Sequence, residues 1–124
     1  MIFDPEPYAE GIRKRNAREA RRIQEALVRA RAEADRLTRR ILDEDPSVRR
    51  VWFFGSAATG ECRDEDFDID LAVEGGDLAK LEDLTAESPF KVDLVQMDLL
   101  SPEFRDLVQA RGIPTERSGA EGPI

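Results

Sequence analysis

Two strand-like segments, separated by a Gly-Ser turn and an acidic loop, constrain the fold of this 124-residue chain most strongly. The first is the apolar run Val51–Phe54, and the second is the alternating run Phe67–Val73. Because side chains alternate between the two faces of a strand, Asp68 and Asp70 would share one face with Cα atoms ~7 Å apart. Two carboxylates held so close repel each other, and burying them is costly unless a cation lies between them. The pair indicates a divalent-metal site, with an ordinary solvent-facing edge strand as the alternative.

Two further features support a metal and phosphate site. Gly55 and Ser56 lie where the first strand turns into the next element, and glycine there allows a phosphate to approach the backbone closely. A third carboxylate, Asp93, interrupts the apolar run Val92–Val95, although aspartate is rarely buried without a partner. Three aspartates on neighbouring strands can hold one or two Mg²⁺ ions, whose preference for oxygen ligands suits carboxylates and a triphosphate.

Together these motifs resemble those of the nucleotidyltransferase superfamily, and in particular its minimal nucleotidyltransferase members. The resemblance extends over about residues 50–112, roughly half of the chain. It implies an α/β (α+β) fold, with a small mixed β-sheet flanked by helices and preceded here by a long N-terminal helix.

The resemblance also assigns roles to individual residues. The implied site consists of Gly55 and Ser56, which bind the phosphates, and of Asp68, Asp70 and Asp93, which are the catalytic carboxylates and metal ligands. Members of the family usually have a serine directly before the first aspartate, where this chain has Phe67, which we expect to pack inward. The loop Ala57–Asp66 is one residue longer than is usual in the family.

The activity that the resemblance implies is a Mg²⁺-dependent transfer of AMP, or another NMP, from an NTP such as ATP to a hydroxyl group. Minimal nucleotidyltransferases of this size typically accompany a small helical HEPN-type RNase toxin. This implies an antitoxin that adds AMP to a tyrosine of its partner within a hetero-oligomer. Two alternatives stay open: a small-molecule nucleotidyltransferase, and a catalytically weak binding module that neutralises a partner by contact.

Composition narrows the chemistry and the partners. The chain contains no histidine, which excludes Ser-His-Asp and Cys-His catalysis, and its only cysteine, Cys62, cannot form an internal disulfide. Residues 1–50 contain 13 Lys and Arg against 10 Asp and Glu, whereas residues 51–124 contain 6 against 17. Such an acidic catalytic half repels bare nucleic acid, so we expect no direct nucleic-acid binding. We also expect a cytoplasmic protein, because neither a signal peptide nor a long apolar run is present.

A long helix is predicted from about Pro7 to Asp43, and Pro46 ends it. Its apolar stripe steps by three and four residues through Ala20, Ile23, Leu27, Ala30, Ala34, Leu37 and Ile41. The stripe either packs on the sheet of this domain or docks a partner. The predicted organisation is a long helix over residues 1–46, a nucleotidyltransferase core over 47–114 and a flexible tail over 115–124, in a single domain.

The first strand is predicted over Arg50–Phe54, and shorter elements follow it. They are predicted as a turn or helix at 56–59, a helix from Asp77 to about Ala86, a strand from Lys91 to Val95, a helix from Ser101 to Ala110, and a strand stub at Ile113-Pro114.

Overall fold

In the computed structural model, residues 5–117 are described, and they form four helices and four strands. In chain order the elements are α1 (Glu6–Glu44), β1 (Arg50–Phe54), α2 (Ser56–Thr59), β2 (Ile69–Glu74), α3 (Leu78–Thr85), β3 (Val92–Gln96), α4 (Pro102–Arg111) and β4 (Ile113–Glu116). A single 3₁₀ turn, Met97–Leu99, connects β3 to α4.

The four strands form one mixed sheet in the order β3-β2-β1-β4. Strand β1 is antiparallel to both β2 and β4, whereas β2 and β3 run parallel to each other. This confirms the prediction of a small mixed sheet flanked by helices.

Helices cover both faces of the sheet because its strands alternate apolar side chains between the two sides. The larger core lies between the sheet and the helices α1 and α3; its sheet residues are Val51, Phe53, Ile69, Leu71 and Val73. The smaller core lies beneath α4 and contains Trp52, Ala72, Met97 and Val108. Phe67 packs against the larger core, as expected.

Helix α1 packs on the sheet only along its second half. The buried residues of α1 are Ala26, Leu27, Ala30, Ala34, Leu37, Thr38, Ile41 and Leu42. None of the residues Glu6–Glu25 is buried, but Ile23 packs half-buried against the larger core, so residues 6–22, ~25 Å of helix, extend past it. The predicted stripe therefore packs against the protein's own core from Ile23 onward, whereas Ala20 is exposed.

The end of α1 is fixed by polar contacts around the buried residue Asp45. Its carboxylate accepts hydrogen bonds from the backbone N–H of Asp77 at 2.9 Å and from the hydroxyl of Ser47 at 2.5 Å. The Ser47 hydroxyl, followed by the Asp77 N–H, lowers the pKa of Asp45 below its usual value. The Arg117 guanidinium donates to three carbonyl oxygens beside this carboxylate, those of Leu42, Asp45 and Val48.

Strand β4 is longer than the predicted stub at Ile113-Pro114, because it continues to Glu116 along the free edge of β1. An ion pair of 2.6 Å between Arg50 and Glu116 links the last residue of β4 to the first residue of β1. Thr115, Glu116 and Arg117, which the sequence analysis placed in the flexible tail, are thus bonded to the body of the protein. The rest of that tail, residues 118–124, lies outside the described residues.

The other elements lie close to their predicted positions, with one correction. Strand β2 begins at Ile69, not at Phe67, because β1 ends opposite Asp70 and leaves earlier residues without an antiparallel partner. Among the helices of residues 5–117, none combines the length and the apolar character that a membrane crossing requires.

Candidate active site

Asp70 and Asp93 occupy directly opposed positions on parallel strands. Asp70 in β2 pairs with Asp93 in β3 on one side and with Phe54 in β1 on the other. Opposed residues of neighbouring strands point to the same face, which is the face that α4 covers. The structure thus brings together two of the three aspartates that the sequence analysis singled out.

Asp68 lies beside this pair but outside the strand, in the segment that directly precedes β2. Its carboxylate is 3.9 Å from the ammonium group of Lys91, and both side chains are well exposed. An exposed ion pair at that distance contributes little stability. Asp68 is therefore held only loosely.

The backbone of Gly55 lies directly against the carboxylate of Asp70. A Cβ atom at position 55 would be 2.1 Å from Oδ2 of Asp70, far inside van der Waals contact. Gly55 also has φ +82° and ψ −169°, a conformation that is almost restricted to glycine. The Gly-Ser turn and the carboxylates are consequently parts of one site.

Ser56 follows as the first residue of α2 and is exposed. Within residues 5–117 its hydroxyl has no hydrogen-bonding partner, so it is available to a ligand. Its carbonyl oxygen, by contrast, accepts a hydrogen bond from the N–H of Gly60, which ends α2 in a left-handed conformation.

Burial and the neighbouring carboxylates raise the proton affinity of Asp70. Burial, followed by the charges of Asp93 and Asp68, raises the pKa of Asp70 to about 6. Within residues 5–117 neither Asp70 nor Asp93 has a hydrogen bond or an ion pair. A half-buried carboxylate that lacks a partner and faces two other carboxylates is stabilised when a cation binds beside it.

These residues fit a Mg²⁺ ion that is shared with a ligand. Across residues 5–117, no group of three Asp, Glu or Cys side chains lies close enough together to hold a metal ion by itself. Mg²⁺ in nucleotide sites usually takes one or two carboxylates, and phosphate oxygens and water complete its coordination. The unpaired oxygen donors of Asp70 and Asp93, next to the Gly-Ser turn, match that pattern.

Arg31 on α1 supports the Gly-Ser turn from behind. Its guanidinium donates hydrogen bonds to the carbonyl oxygens of Ala57 at 3.2 Å and Ala58 at 3.4 Å, both in α2. Arg31 was not predicted from the sequence, because nothing local marks one arginine among the many on α1 as a partner of Ala57, 26 residues away.

A groove of about 300 Å³ adjoins the turn and was also missed. It lies between the Gly-Ser turn and α4, and it includes Phe54, Ser56, Phe104, Leu107 and Arg111. The sequence offers a partial signal, since Phe104, Leu107 and Arg111 recur on α4 at helical spacing.

Comparisons with known proteins identify the family and the fold of the chain. The family model of the nucleotidyltransferase domain matches residues 35–113, well over half of the chain. The comparison with curated protein sequences finds no match.

Three solved structures share the fold. One is a toxin–antitoxin crystal structure with AMP-PNP, with 22% sequence identity, a TM-score of 0.56, and coverage of 70% of this chain and 76% of the other. The others are two mutants of the toxin–antitoxin MntA–HpeT, with identities of 20% and 24% and TM-scores of 0.55 and 0.52. They cover 70% and 73% of this chain, and 75% of the matched chain in each case. By its match to the family model, the chain belongs to the nucleotidyltransferase domain family.

Proposed function

We propose that this protein is a Mg²⁺-dependent nucleotidyltransferase that transfers AMP, or another NMP, from an NTP to a hydroxyl group. The observation that carries the proposal is the opposed pair Asp70 and Asp93 with the backbone of Gly55 packed on the Asp70 carboxylate. Membership of the nucleotidyltransferase domain family supports it, as does the AMP-PNP complex of a protein with the same fold.

The proposed site residues divide into metal ligands and phosphate-binding residues. Asp70 and Asp93, with the exposed Asp68, would hold Mg²⁺, which when bound neutralises triphosphate charge and lowers the pKa of the acceptor hydroxyl. Gly55 lets the phosphates approach the backbone, and the unpaired hydroxyl of Ser56 donates a hydrogen bond to a phosphate oxygen.

The proposed reaction is a displacement at the α-phosphorus. The acceptor oxygen forms a bond to that phosphorus while the bond to the bridging oxygen of the β-phosphate breaks, and pyrophosphate leaves. The hydroxyl proton passes to a carboxylate, since the chain contains no histidine.

For the acceptor, we propose a tyrosine of a HEPN-type toxin, so that the protein acts as a cytoplasmic antitoxin within a hetero-oligomer. Support comes from the solved structures that share its fold, which are toxin–antitoxin complexes.

The test is the transfer of label from α-labelled ATP with Mg²⁺ to a purified HEPN-type toxin, with the product of any neighbouring gene for such a toxin as the first choice. Asp70→Asn should reduce the rate by at least about a hundredfold, since even indirect partners of metals typically cost 10–100-fold. Asp83→Asn, the same change at an exposed aspartate on α3, is the matched control and should keep the wild-type rate. If Asp70→Asn transfers label as fast as wild type, the metal assignment is wrong.

Two features of the site favour a second candidate function, a module that neutralises its partner by contact alone. The described residues contain no complete three-ligand metal cluster, and Asp68 is paired with Lys91. Calorimetry of the complex with ATP and Mg²⁺ separates the candidates, because only the contact-only module would bind no nucleotide.

A further inference from the structure

The groove beside the Gly-Ser turn has apolar walls that the protein itself leaves open. Phe104 is 41% exposed and Leu107 is 48% exposed, although both lie on the side of α4 that faces the turn. The ring of Phe104 meets that of Phe54 edge-on, with the ring centroids 6.0 Å apart and an interplanar angle of 87°. The groove therefore presents aromatic and aliphatic surface that a flat apolar ligand could cover.

The groove is continuous with the proposed phosphate site. Gly55 and Ser56, which we assign to the phosphates, also line the groove, and Phe54 directly precedes them in β1. A molecule whose phosphates lie at the turn can thus extend its remaining part along α4. Its volume of about 300 Å³ is at the lower end of small-molecule sites and too small for a helix of a partner protein.

A positive charge at the edge of the groove also favours a ligand that carries phosphates. Arg111, in the last turn of α4, lines the groove, and within residues 5–117 its guanidinium has no ion pair or hydrogen bond. It provides a cation in the half of the chain where acidic residues dominate. An anionic ligand that enters the groove would meet Arg111.

We propose that this groove binds the nucleoside of the NTP, with Phe104 and Leu107 of α4 against the base and ribose. The inference rests on the proposed function and deepens it, because it names the protein surface that distinguishes a nucleotide from a bare polyphosphate. Stacking on aromatic side chains accepts every base, since each has a π-face.

The test compares two ligands that share a triphosphate but differ in the nucleoside. Calorimetry with Mg²⁺ measures the binding of ATP and of inorganic tripolyphosphate to the full chain and its variants. Phe104→Leu removes the ring but keeps an apolar side chain beside Phe54, and Leu107→Ala shortens a half-exposed side chain on a helix. Leu99→Ala is the matched control, because Leu99 is 77% exposed and lies outside the groove.

The expected result is that both groove variants bind ATP roughly tenfold more weakly, the effect of losing one base contact, and bind tripolyphosphate as wild type does. The control should bind both ligands as wild type does. Equal binding of ATP by wild type and both groove variants would overturn the inference while leaving the proposed function intact. Wild-type protein that binds neither ligand would instead refute the proposed function, and the inference with it.

Discussion

Replacing Gly55 with alanine tests whether the Gly-Ser turn and the carboxylates form one site. At φ +82° and ψ −169° a non-glycine residue costs about 1–3 kcal/mol of backbone strain. The new Cβ would also lie 2.1 Å from Oδ2 of Asp70, so the carboxylate must turn away from its position. Overpacking of this kind costs about a further 1–3 kcal/mol.

Gly60→Ala is the matched control, because it makes the same change at the other end of α2. Gly60 also has a positive φ, +84°, but its ψ of 5° is in the left-handed region, where alanine costs about 1–2 kcal/mol. A Cβ there would meet only the end of the flexible Arg31 side chain, at 3.3 Å. The two variants thus share one kind of backbone penalty and differ in the contact with Asp70.

Thermal unfolding and transfer of label from ATP are the two assays. At about 3–5 °C per kcal/mol, Gly55→Ala should lower Tm by roughly 10 °C or more, and Gly60→Ala by roughly 5 °C. Transfer by Gly55→Ala should fall at least about tenfold below that of Gly60→Ala, because the Asp70 carboxylate is displaced. Equal Tm values and equal transfer rates for the two variants would refute the close approach of Gly55 to Asp70.

Three further predictions concern other parts of the structure. Arg31→Met should raise KM for ATP severalfold with little change in Tm, because α2 loses the two hydrogen bonds that the Arg31 guanidinium donates to it. The control Arg29→Met, at an exposed position on the same helix, should change neither KM nor Tm. The pKa of Asp45 is lower in the folded protein than in the unfolded chain, so the stability that its carboxylate contributes is present above pH ~4 and is lost as pH falls through the folded pKa. The Tm difference between wild type and Asp45→Asn should therefore be large at pH 7 and shrink below pH ~4. In metal-free buffer at pH 7.5, Asp70→Asn should raise Tm, because it removes repulsion between carboxylates. When Mg²⁺ is added, Asp70→Asn should lack the Tm increase that Mg²⁺ gives wild type, and Asp83→Asn should behave as wild type in both experiments.

Local pattern was enough to predict most elements and the residue types of the site. Strand β1 has the predicted bounds Arg50–Phe54, because an apolar run followed by glycine marks both the strand and its end. The alternation in Phe67–Val73 identified the face of Asp70, but not the start of β2 at Ile69. The start of β2 depends on where its partner strand ends, and the alternation of apolar and polar residues in one segment does not indicate that position.

The contacts that assemble the site depend on register and on packing between distant segments. That Asp70 lies opposite Asp93, rather than two residues away, follows from the pairing of β2 with β3. Similarly, the contact of Arg31 with α2 and the position of α4 over the Gly-Ser turn arise only when α1 and α4 pack on opposite faces of the sheet. Single-sequence periodicity contains no information about such distances.

Helix α1 has a carboxyl-terminal part that packs on the sheet and an amino-terminal part that does not, and these two parts differ in stability. Residues 23–42 gain stability from packing on the core, whereas residues 6–22 depend mainly on backbone propensity and on exposed pairs such as Lys14–Glu10. Most helical stability in proteins comes from tertiary packing of an apolar face rather than from backbone propensity. Backbone amides near Arg18 should therefore exchange with solvent orders of magnitude faster than those near Leu37, and on heating α1 should unwind from its amino end well before the sheet melts.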